Sequence, residues 1–402
     1  MNINRNKGVG FKSNDVQVWI ELFSGLNIRK SVSSIYHRKP CINKTPPLIE
    51  KELSKFYETK FATMATSGTG ACHGALVALD FLPGSEIITT PITDVGTIIP
   101  IIYENLIPIF ADVDIQTFNI DPQSIKEKIT EKTKAVIVVH LAGNPADIDS
   151  IKEICKENNL VLIEDFSQAH GAKWDGKMIG SHGDIGFGSY QQCKQITCGE
   201  GGVIVTNSEE LGRRAHIGVD KAWQRDLPLE KRQYEFLAPN VRFNAIQAAI
   251  IKPQIPRLSG VINKRRNIAD IYYKEFLEIS DYVKPQRVLK KGEHSFFNFP
   301  MYVDDLSTRD NLLELLDKKY DVKCAYGYAA PVPLYLCVNA LIDPKKYGKG
   351  HAYSDSSYPP GLCPNAENIM DRSFLIPFNE LISEDEAMEI SSRIINAVGE
   401  LI

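Results

Sequence analysis

The sequence predicts an α/β protein in which a mostly parallel central sheet is followed by a smaller α+β domain. Short apolar runs alternate with amphipathic helical patterns between residues 61 and 205, and the pattern changes after about residue 250. The chain of 402 residues is also long enough for two domains. We therefore expect an N-terminal segment at 1–45, a large domain at 46–257 and a small C-terminal domain at 258–402.

Five segments are predicted to be strands buried on both faces, because each is continuously apolar and rich in β-branched residues. They are EIITTP (86–91), IPIFADV (107–113), KAVIVVHL (134–141), LVLIEDF (160–166) and GGVIVTN (201–207). Helical patterns lie between them at 70–82 and 147–159, the second with Asp147 or Asp149 as a candidate N-cap. Strand–helix–strand units give parallel strands, so polar residues at the strand ends should meet at the carboxyl edge of the sheet, where ligands bind.

The C-terminal third has a different pattern. A long helical stretch near 258–279 precedes a second helix at 311–319, and a Pro-, Gly- and Tyr-rich loop runs from 325 to 362. The last helix is expected to start at a capping box formed by Ser383 and Glu386. These elements predict the smaller α+β domain.

Composition and charge argue against several classes of protein. Lysine plus arginine number 46 and aspartate plus glutamate 50, so there is no basic excess of the kind that binds nucleic acid. The basic stretch 225–232 contains acidic residues and is expected to be a solvent-exposed loop. The chain starts without an apolar signal segment, and no window approaches the roughly 18 apolar residues of a membrane span. Eight cysteines without a C-x-x-C pair indicate reduced thiols and no metal site, so we expect a cytoplasmic protein.

Asp165 lies in IEDFSQAHGA (163–172), directly after an apolar strand. A carboxylate at this edge is costly to bury unless it meets a cation or hydrogen-bond donors. The protonated ring nitrogen of pyridoxal phosphate (PLP) is one such partner. A helix cap or a metal site would explain an isolated aspartate as well.

Lys194 lies in GDIGFGSYQQCKQITCGEGG (183–202), between Ser189 and a glycine-rich turn. A lysine on an irregular loop near a sheet edge can lose solvent, which lowers its pKa and favours Schiff-base chemistry. The hydroxyl of Ser189 is suited to binding a phosphate. The alternative is an ordinary solvated lysine.

A third segment, ATSGTGACHGAL (65–76), leads from small residues directly into a helix. The amides of Gly68–Gly70 would form the positive end of that helix, which is a ready phosphate site. The segment is neither a Walker A motif nor G-x-G-x-x-G, and a simple capped helix start remains the alternative.

In this combination and order, the three segments resemble the DegT/DnrJ/EryC1/StrS family of sugar aminotransferases. Further matching runs are FADVDIQTFNIDP (110–122), VVHLAGNPADID (138–149) and PNVRFNAIQAAI (239–250). The similarity covers roughly residues 46 to 400. It implies the fold type I of PLP-dependent transferases, which is aspartate aminotransferase-like.

The resemblance implies PLP as cofactor and assigns roles to matching residues. Lys194 would form the Schiff base and move a proton between substrate and cofactor. Asp165 would pair with the pyridine nitrogen, and Gln168 would hydrogen-bond the 3′ oxygen of the ring. The residues implied to hold the phosphate are Thr69, Gly70 and Ser189.

Two residues of the run at 239–250 complete the implied site. Asn240 matches an asparagine that reaches the phosphate from the neighbouring subunit, which implies a homodimer with shared active sites. Arg242 is a candidate substrate contact.

Three departures from the family pattern concern the substrate. Asp94, in PITDVGT, occupies the position of an aromatic residue that stacks on the pyridine ring, so Asp94 is either a substrate contact or a turn-forming residue. The run YAAPVPLY (328–335) lacks the histidine of the usual substrate loop, and Gly188-Ser189-Tyr190 replaces F-S-F.

We expect an aminotransferase that moves an amino group from glutamate or glutamine to a keto sugar, in amino-sugar, surface-glycan or natural-product biosynthesis. The acceptor is a nucleotide-linked sugar or a related polyol. The alternatives are an inosose-type cyclitol aminotransferase and a PLP-dependent sugar dehydratase or oxidase on the same fold. The dehydratase branch replaces the lysine with histidine, whereas Lys194 is present here. A regulatory, non-enzymatic protein of this fold would typically have lost Lys194 or gained a DNA-binding domain.

Overall fold

The computed structural model describes residues 45–327 and 332–401. The strands are, in chain order, β1 (Phe61–Ala65), β2 (Glu86–Thr89), β3 (Ile107–Phe110), β4 (Thr133–Val139), β5 (Val161–Asp165), β6 (Lys173–Trp174), β7 (Lys177–Met178), β8 (Ile185–Ser189), β9 (Gly202–Thr206), β10 (Lys284–Pro285), β11 (Gly292–Glu293), β12 (Pro300–Tyr302), β13 (Ala325–Tyr326) and β14 (Ser373–Leu375). The predicted N-terminal segment 1–45 lies almost wholly outside the described residues, as does part of the run 328–335.

The helices pack on and between the sheets. They are α1 (Thr45–Phe56), α2 (Gly68–Leu79), α3 (Ile99–Tyr103), α4 (Pro122–Lys128), α5 (Ile148–Glu157), α6 (Glu209–Gly218), α7 (Ala245–Ile251), α8 (Leu258–Glu275), α9 (Leu306–Lys318), α10 (Leu334–Cys337), α11 (Asn339–Ile342), α12 (Pro344–Tyr347), α13 (Pro364–Arg372) and α14 (Glu384–Leu401). Within the described ranges, no helix combines the length and the apolar character that a bilayer crossing requires.

The large sheet has seven strands in the order β1-β9-β8-β5-β4-β2-β3. Neighbours from β8 to β3 pair in parallel, whereas β9 runs antiparallel to both β1 and β8. The predicted mostly parallel sheet is therefore confirmed, and it contains all five predicted strands. The sequence analysis missed β1 and β8.

The register of the central strands brings their carboxyl ends to one level. Val139 at the end of β4 is paired with Asp165, and Asp165 is paired with Phe187 of β8. Residues that follow β4, β5 and β8 therefore lie side by side at one edge of the sheet, as the sequence predicted.

The small sheet is antiparallel, with the order β10-β12-β14-β13. It shares a separate hydrophobic core with α8, α9 and α14. The predicted capping box is present at the start of α14, where Ser383 N donates to Glu386 Oε2 (2.8 Å) and Glu386 N donates to Ser383 Oγ (3.2 Å). These elements confirm a smaller α+β unit, whereas the boundary at residue 258 stays a prediction.

The segment 332–362 is more structured than the expected loop, since it contains α10, α11 and α12. Its buried tyrosines join the core of the large sheet, and Tyr358 Oη donates to Pro108 O of β3 (2.9 Å). Large apolar side chains such as Leu334 and Tyr335 anchor the single-turn helices there. The stretch 225–232, in contrast, is mostly exposed, as expected.

Candidate active site

A cavity of about 330 Å³ opens at the carboxyl edge of the large sheet. Its walls come from the segments that follow β1, β2, β5 and β8 and from the last residue of β4. Six of the residues singled out from the sequence line it: five polar or acidic side chains and one lysine, namely Thr69, Asp94, Asp165, Gln168, Ser189 and Lys194.

The N-terminus of α2 forms one wall. Ser67 is its N-cap, and its hydroxyl accepts a hydrogen bond from Gly70 N (2.9 Å). The amides of Gly68 and Thr69 come before that bonded position, and both residues line the cavity. A Cβ on Gly68 would lie 2.6 Å from Ser189 Cβ, so only glycine lets the helix end approach the loop after β8. The two implied phosphate-binding segments are thus brought together.

Asp165 ends β5 and is 4% exposed. Its Oδ2 accepts a hydrogen bond from Thr97 Oγ1 (2.9 Å), and its Oδ1 accepts one from Ser167 N (3.0 Å). Burial raises the pKa of this carboxyl above its ordinary value, while the hydrogen bonds and the charge of Lys194 act in the opposite direction. A cation in the cavity would therefore stabilise the ionised form.

Glu164, on the opposite face of β5, belongs to a closed structural cluster. It accepts hydrogen bonds from the amides of Gly180 (2.8 Å) and His182 (2.7 Å) and contacts His140 Nε2 at 3.3 Å. Burial alone would raise its pKa, but these partners hold the pKa at about 2. Because strand residues alternate between faces, Glu164 anchors the strand while Asp165 faces the cavity.

Lys194 is half-buried on the loop between β8 and β9. Burial lowers the pKa of its amine, and the negative charges of Asp165 and Asp94 act in the opposite direction. The structure does not support the alternative of an ordinary solvated surface lysine. A lysine amine with a lowered pKa beside a carboxylate has the reactivity that a Schiff-base residue needs.

The side-chain oxygen of Gln168 is hydrogen-bonded within the protein. Ala142 N donates to Gln168 Oε1 (2.8 Å), which fixes the orientation of the amide and leaves its NH₂ group as a donor for the cavity. Gln195 Nε2 holds the backbone of the same residue through Gln168 O (2.9 Å). A hydrogen bond from Gln168 to a ring oxygen is compatible with this arrangement.

Asp94 both caps a turn and lines the cavity. Its Oδ1 accepts a hydrogen bond from Gly96 N (2.8 Å) at the start of the 3₁₀ turn Val95–Thr97, and the side chain is exposed. The turn-forming alternative and the active-site alternative therefore coexist.

Three implied residues lie outside the cavity lining. Gly70 is buried, and its amide is bonded to Ser67. Asn240 and Arg242 are exposed, and Arg242 Nη1 pairs with Asp220 Oδ1 at 3.0 Å. Their roles stay predictions.

Sequence analysis missed the residues that support Asp165. Thr97 donates to the carboxylate and receives a hydrogen bond from the hydroxyl of Thr93 (2.9 Å), because its own proton is already used. Thr97 is 68 residues from Asp165 in the chain. Its place in the quoted run PITDVGT, at the end of a predicted strand, was the only available signal.

The residues present fit a PLP molecule. The cavity combines a helix N-terminus and a serine hydroxyl for a phosphate, a buried carboxylate for a cationic ring nitrogen and a lysine amine for a covalent link. Among the residues that the structure describes, no group of three or more His, Cys, Asp or Glu side chains could hold a metal ion.

Comparisons with known proteins agree with this chemistry. The model of the DegT/DnrJ/EryC1/StrS aminotransferase family matches residues 44–395. The chain is 34% identical over 293 residues to the GDP-perosamine synthase of Escherichia coli O157:H7, which covers 71% of this chain and 78% of that protein. It is 31% identical over 363 residues to the spore coat polysaccharide biosynthesis protein SpsC of Bacillus subtilis (strain 168), with 88% of each chain covered. The solved aminotransferase from Psychrobacter cryohalolentis superposes with a TM-score of 0.82 at 26% identity, covering 98% of this chain and 99% of that one.

Proposed function

The chain belongs to the DegT/DnrJ/EryC1/StrS aminotransferase family, and from this premise we propose its substrates and the roles of its active-site residues. It is a PLP-dependent sugar aminotransferase that acts in amino-sugar biosynthesis. Glutamate or glutamine gives the amino group, and a keto sugar or related polyol accepts it. The amino sugar that it forms is used in the biosynthesis of a surface glycan or a natural product.

The observation that best supports these roles is the shared cavity. The amine of Lys194, the carboxylate of Asp165 and the N-terminus of α2 open onto one space. When bound, PLP supplies a ring that accepts electron density from the substrate carbon and carries the amino group between two substrates.

Each residue has a separate task in this proposal. Lys194 holds the cofactor covalently and moves a proton at the substrate carbon with its Nζ. The carboxylate of Asp165 keeps the proton on the ring nitrogen, and the NH₂ group of Gln168 donates to the ring oxygen. Gly68, Thr69 and Ser189 bind the phosphate through helix-end amides and hydroxyls, and Gly70 supports that end of the helix through Ser67.

Borohydride reduction followed by peptide mapping tests the role of Lys194. Reduction should fix the cofactor to a single peptide, and that peptide should contain Lys194. Attachment to another lysine would overturn the assignment. The Lys194→Ala variant is the control, since it should retain the fold and give no labelled peptide.

Half-reactions measured in the absorbance of the cofactor test the substrate class. Glutamate or glutamine should convert the pyridoxal form to the pyridoxamine form, and a keto sugar should reverse the change. A panel of nucleotide-linked keto sugars, free keto-sugar phosphates and keto cyclitols would identify the acceptor. Reversal by a simple keto acid alone, with no response to any keto sugar or cyclitol, would contradict the proposal.

We also propose a homodimer whose two active sites share residues. Asn240 is exposed and lies outside the cavity lining of its own chain. The segment before it presents apolar side chains to solvent, including Leu229 at 71% and Leu237 at 96% exposure. Exposed apolar patches of this kind are typical of an interface, and a second copy would bring Asn240 to the neighbouring site. A cytoplasmic location and a substrate contact by Arg242 remain predictions.

A further inference from the structure

The amine of Lys194 has an aromatic neighbour from a distant part of the chain. Its Nζ lies 4.4 Å from the centre of the Phe297 ring, which is within the range of a cation–π contact. Among the described residues, this amine has no hydrogen-bond acceptor or ion-pair partner within bonding distance. The ring is therefore the group in direct contact with the ammonium.

The backbone of Phe297 is fixed from both sides. Phe297 N donates to Ala142 O (2.7 Å), in the turn whose Ala142 amide holds the side chain of Gln168. From α8, the guanidinium of Arg265 donates to Phe297 O (3.1 Å) and is itself paired with Glu380. The position of the Phe297 backbone, from which the ring extends, thus does not depend on Lys194.

Hydrogen bonds also join the chain neighbours of Lys194 to those of Phe297. Gln195, next to Lys194, donates through Nε2 to Ser295 Oγ (3.4 Å) and to Gln168 O (2.9 Å). Ser295 N in turn donates to Gly143 O (3.0 Å). This network sets the loop that carries Lys194 and the segment that carries Phe297 at a defined distance from each other.

We propose that the ring of Phe297 is the binding partner of the free, protonated amine of Lys194, and that it keeps this amine at the cavity whenever it is not bonded to the cofactor. The inference rests on the proposed role of Lys194 as the cofactor lysine. A transaminating lysine is free for part of each turnover, when it acts on protons. A fixed aromatic face favours the ammonium form without taking a proton from it.

Several titratable groups share this environment, and every variant in the test must retain them. Those in or beside the cavity are Asp94, Asp165, His170, Cys193 and Glu200. Burial and the two aspartates act on the pKa of Lys194 in opposite directions, and the ring adds to the effect of the aspartates.

The test measures the amine itself and not turnover. Full-length protein, both without cofactor and loaded with pyridoxamine phosphate, is labelled with an amine acylating reagent over a range of pH. Peptide mass spectrometry then gives the titration midpoint of Lys194. In Phe297→Leu, which keeps an apolar side chain, the midpoint should fall by about half a pH unit to one pH unit. Phe297→Tyr should restore the wild-type profile.

Matched controls separate this contact from a general structural effect. Lys346 lies 5.0 Å from the ring of Tyr347 in an exposed pair, so Tyr347→Leu removes a similar contact elsewhere and should leave the Lys194 profile unchanged. Circular dichroism and the thermal midpoint verify that each variant is folded. An unchanged or higher midpoint in folded Phe297→Leu would overturn the proposal. If the ring only kept solvent away from the amine, its loss would admit water, which favours the ammonium form and raises the midpoint. The titration of Lys194 is measured independently of the borohydride mapping. A failure of the cofactor assignment can therefore be distinguished from a failure of this proposal.

Discussion

Burial acts in opposite directions on Asp165 and Lys194, two of the ionisable side chains that line the cavity. It raises the pKa of the Asp165 carboxyl and lowers the pKa of the Lys194 amine, because in each case the charged form loses water. Each group carries the charge that favours ionisation of the other. Ionisation of both side chains is therefore sensitive to any further charge in the cavity, and a cationic ring nitrogen next to Asp165 would keep that carboxylate ionised.

The first prediction at this scale concerns Asp165→Asn. The amide can still accept one hydrogen bond, so we expect the fold to persist, but a neutral side chain cannot stabilise a protonated ring nitrogen. Turnover should fall by roughly a hundredfold or more, the scale of losing one preorganised electrostatic partner, while cofactor affinity falls only modestly. The control is the same change at the exposed Asp281, which should have wild-type rates. An Asp165→Asn enzyme with full activity would show that the carboxylate has another task.

The second concerns Asp94, and it uses two substitutions. Asp94→Asn preserves an oxygen for the amide of Gly96 and removes the charge, whereas Asp94→Phe removes both. If the carboxylate binds a hydroxyl or ammonium group of the acceptor or product, both variants should raise the KM for the acceptor about tenfold. The half-reaction with the amino donor should remain intact. Equal acceptor kinetics in a folded, PLP-loaded Asp94→Asn protein would leave Asp94 with its capping role alone.

The sequence predicted residues whose signals are local and missed those that arrive from far along the chain. Asp165 follows a predicted strand, and Ser189 and Lys194 lie in one glycine-rich run, GDIGFGSYQQCKQITCGEGG (183–202). Phe297 carries no such signal, because its place beside Lys194 depends on hydrogen bonds to Ala142 and Arg265. Contacts of this kind follow from the assembled fold and not from a motif.

At the scale of elements, the two missed strands have a common physical explanation. Each of them contains a single β-branched residue, Thr63 in β1 (Phe61–Ala65) and Ile185 in β8 (Ile185–Ser189), and β8 also contains two glycines, which weaken the pattern of a buried strand. The structure shows why glycine is needed at position 188. A Cβ there would lie 2.3 Å from Cε2 of the buried Phe166 ring, which packs against the strand. Close packing that requires glycine removed the β-branched signal on which strand prediction depends.

The third prediction follows from that contact. Gly188→Ala should lower the free energy of unfolding of the cofactor-free protein by about 1–3 kcal/mol, because the ring of Phe166 cannot move freely in a packed core. Chemical denaturation measures the change. Gly260→Ala is the control: nothing lies within 4 Å of its added Cβ at the start of α8, so stability should stay constant or rise slightly.

A double variant sharpens this test. In Gly188→Ala with Phe166→Leu, the smaller side chain leaves room for the methyl group. The combined loss should be smaller than the sum of the two single losses. Additive losses would mean that overlap with Phe166 is not the reason for glycine at 188.

At the scale of the whole molecule, sequence order and spatial grouping differ. The segment 334–370 lies in the chain between β13 and β14 of the small sheet, yet its buried residues belong to the core of the large sheet. Periodicity cannot reveal this, because it reports which face of an element is buried and not against which sheet it packs. The mostly parallel sheet and the α+β unit were predictable from patterns, whereas the path of this segment was not.

The last prediction concerns the sharing of active sites between two copies of the chain. If Asn240 of one subunit completes the phosphate site of the other, Asn240→Ala should weaken PLP binding, although Asn240 is exposed and lies outside the cavity of its own chain. A heterodimer of Asn240→Ala with Lys194→Ala would then contain one site with both residues and one site with neither. At limiting PLP, it should have up to about half of the wild-type activity, since one of two C₂-related sites is complete. The control pairs the wild-type chain with a chain that carries both substitutions: if sites are shared, each of its two sites lacks one of the two residues, whereas one site is complete if each site is built from a single chain. Both mixtures are purified through two different tags so that only heterodimers are assayed. If the first mixture is no more active than the control, each site is built from a single chain, and the exposed segment around Leu237 has some other role.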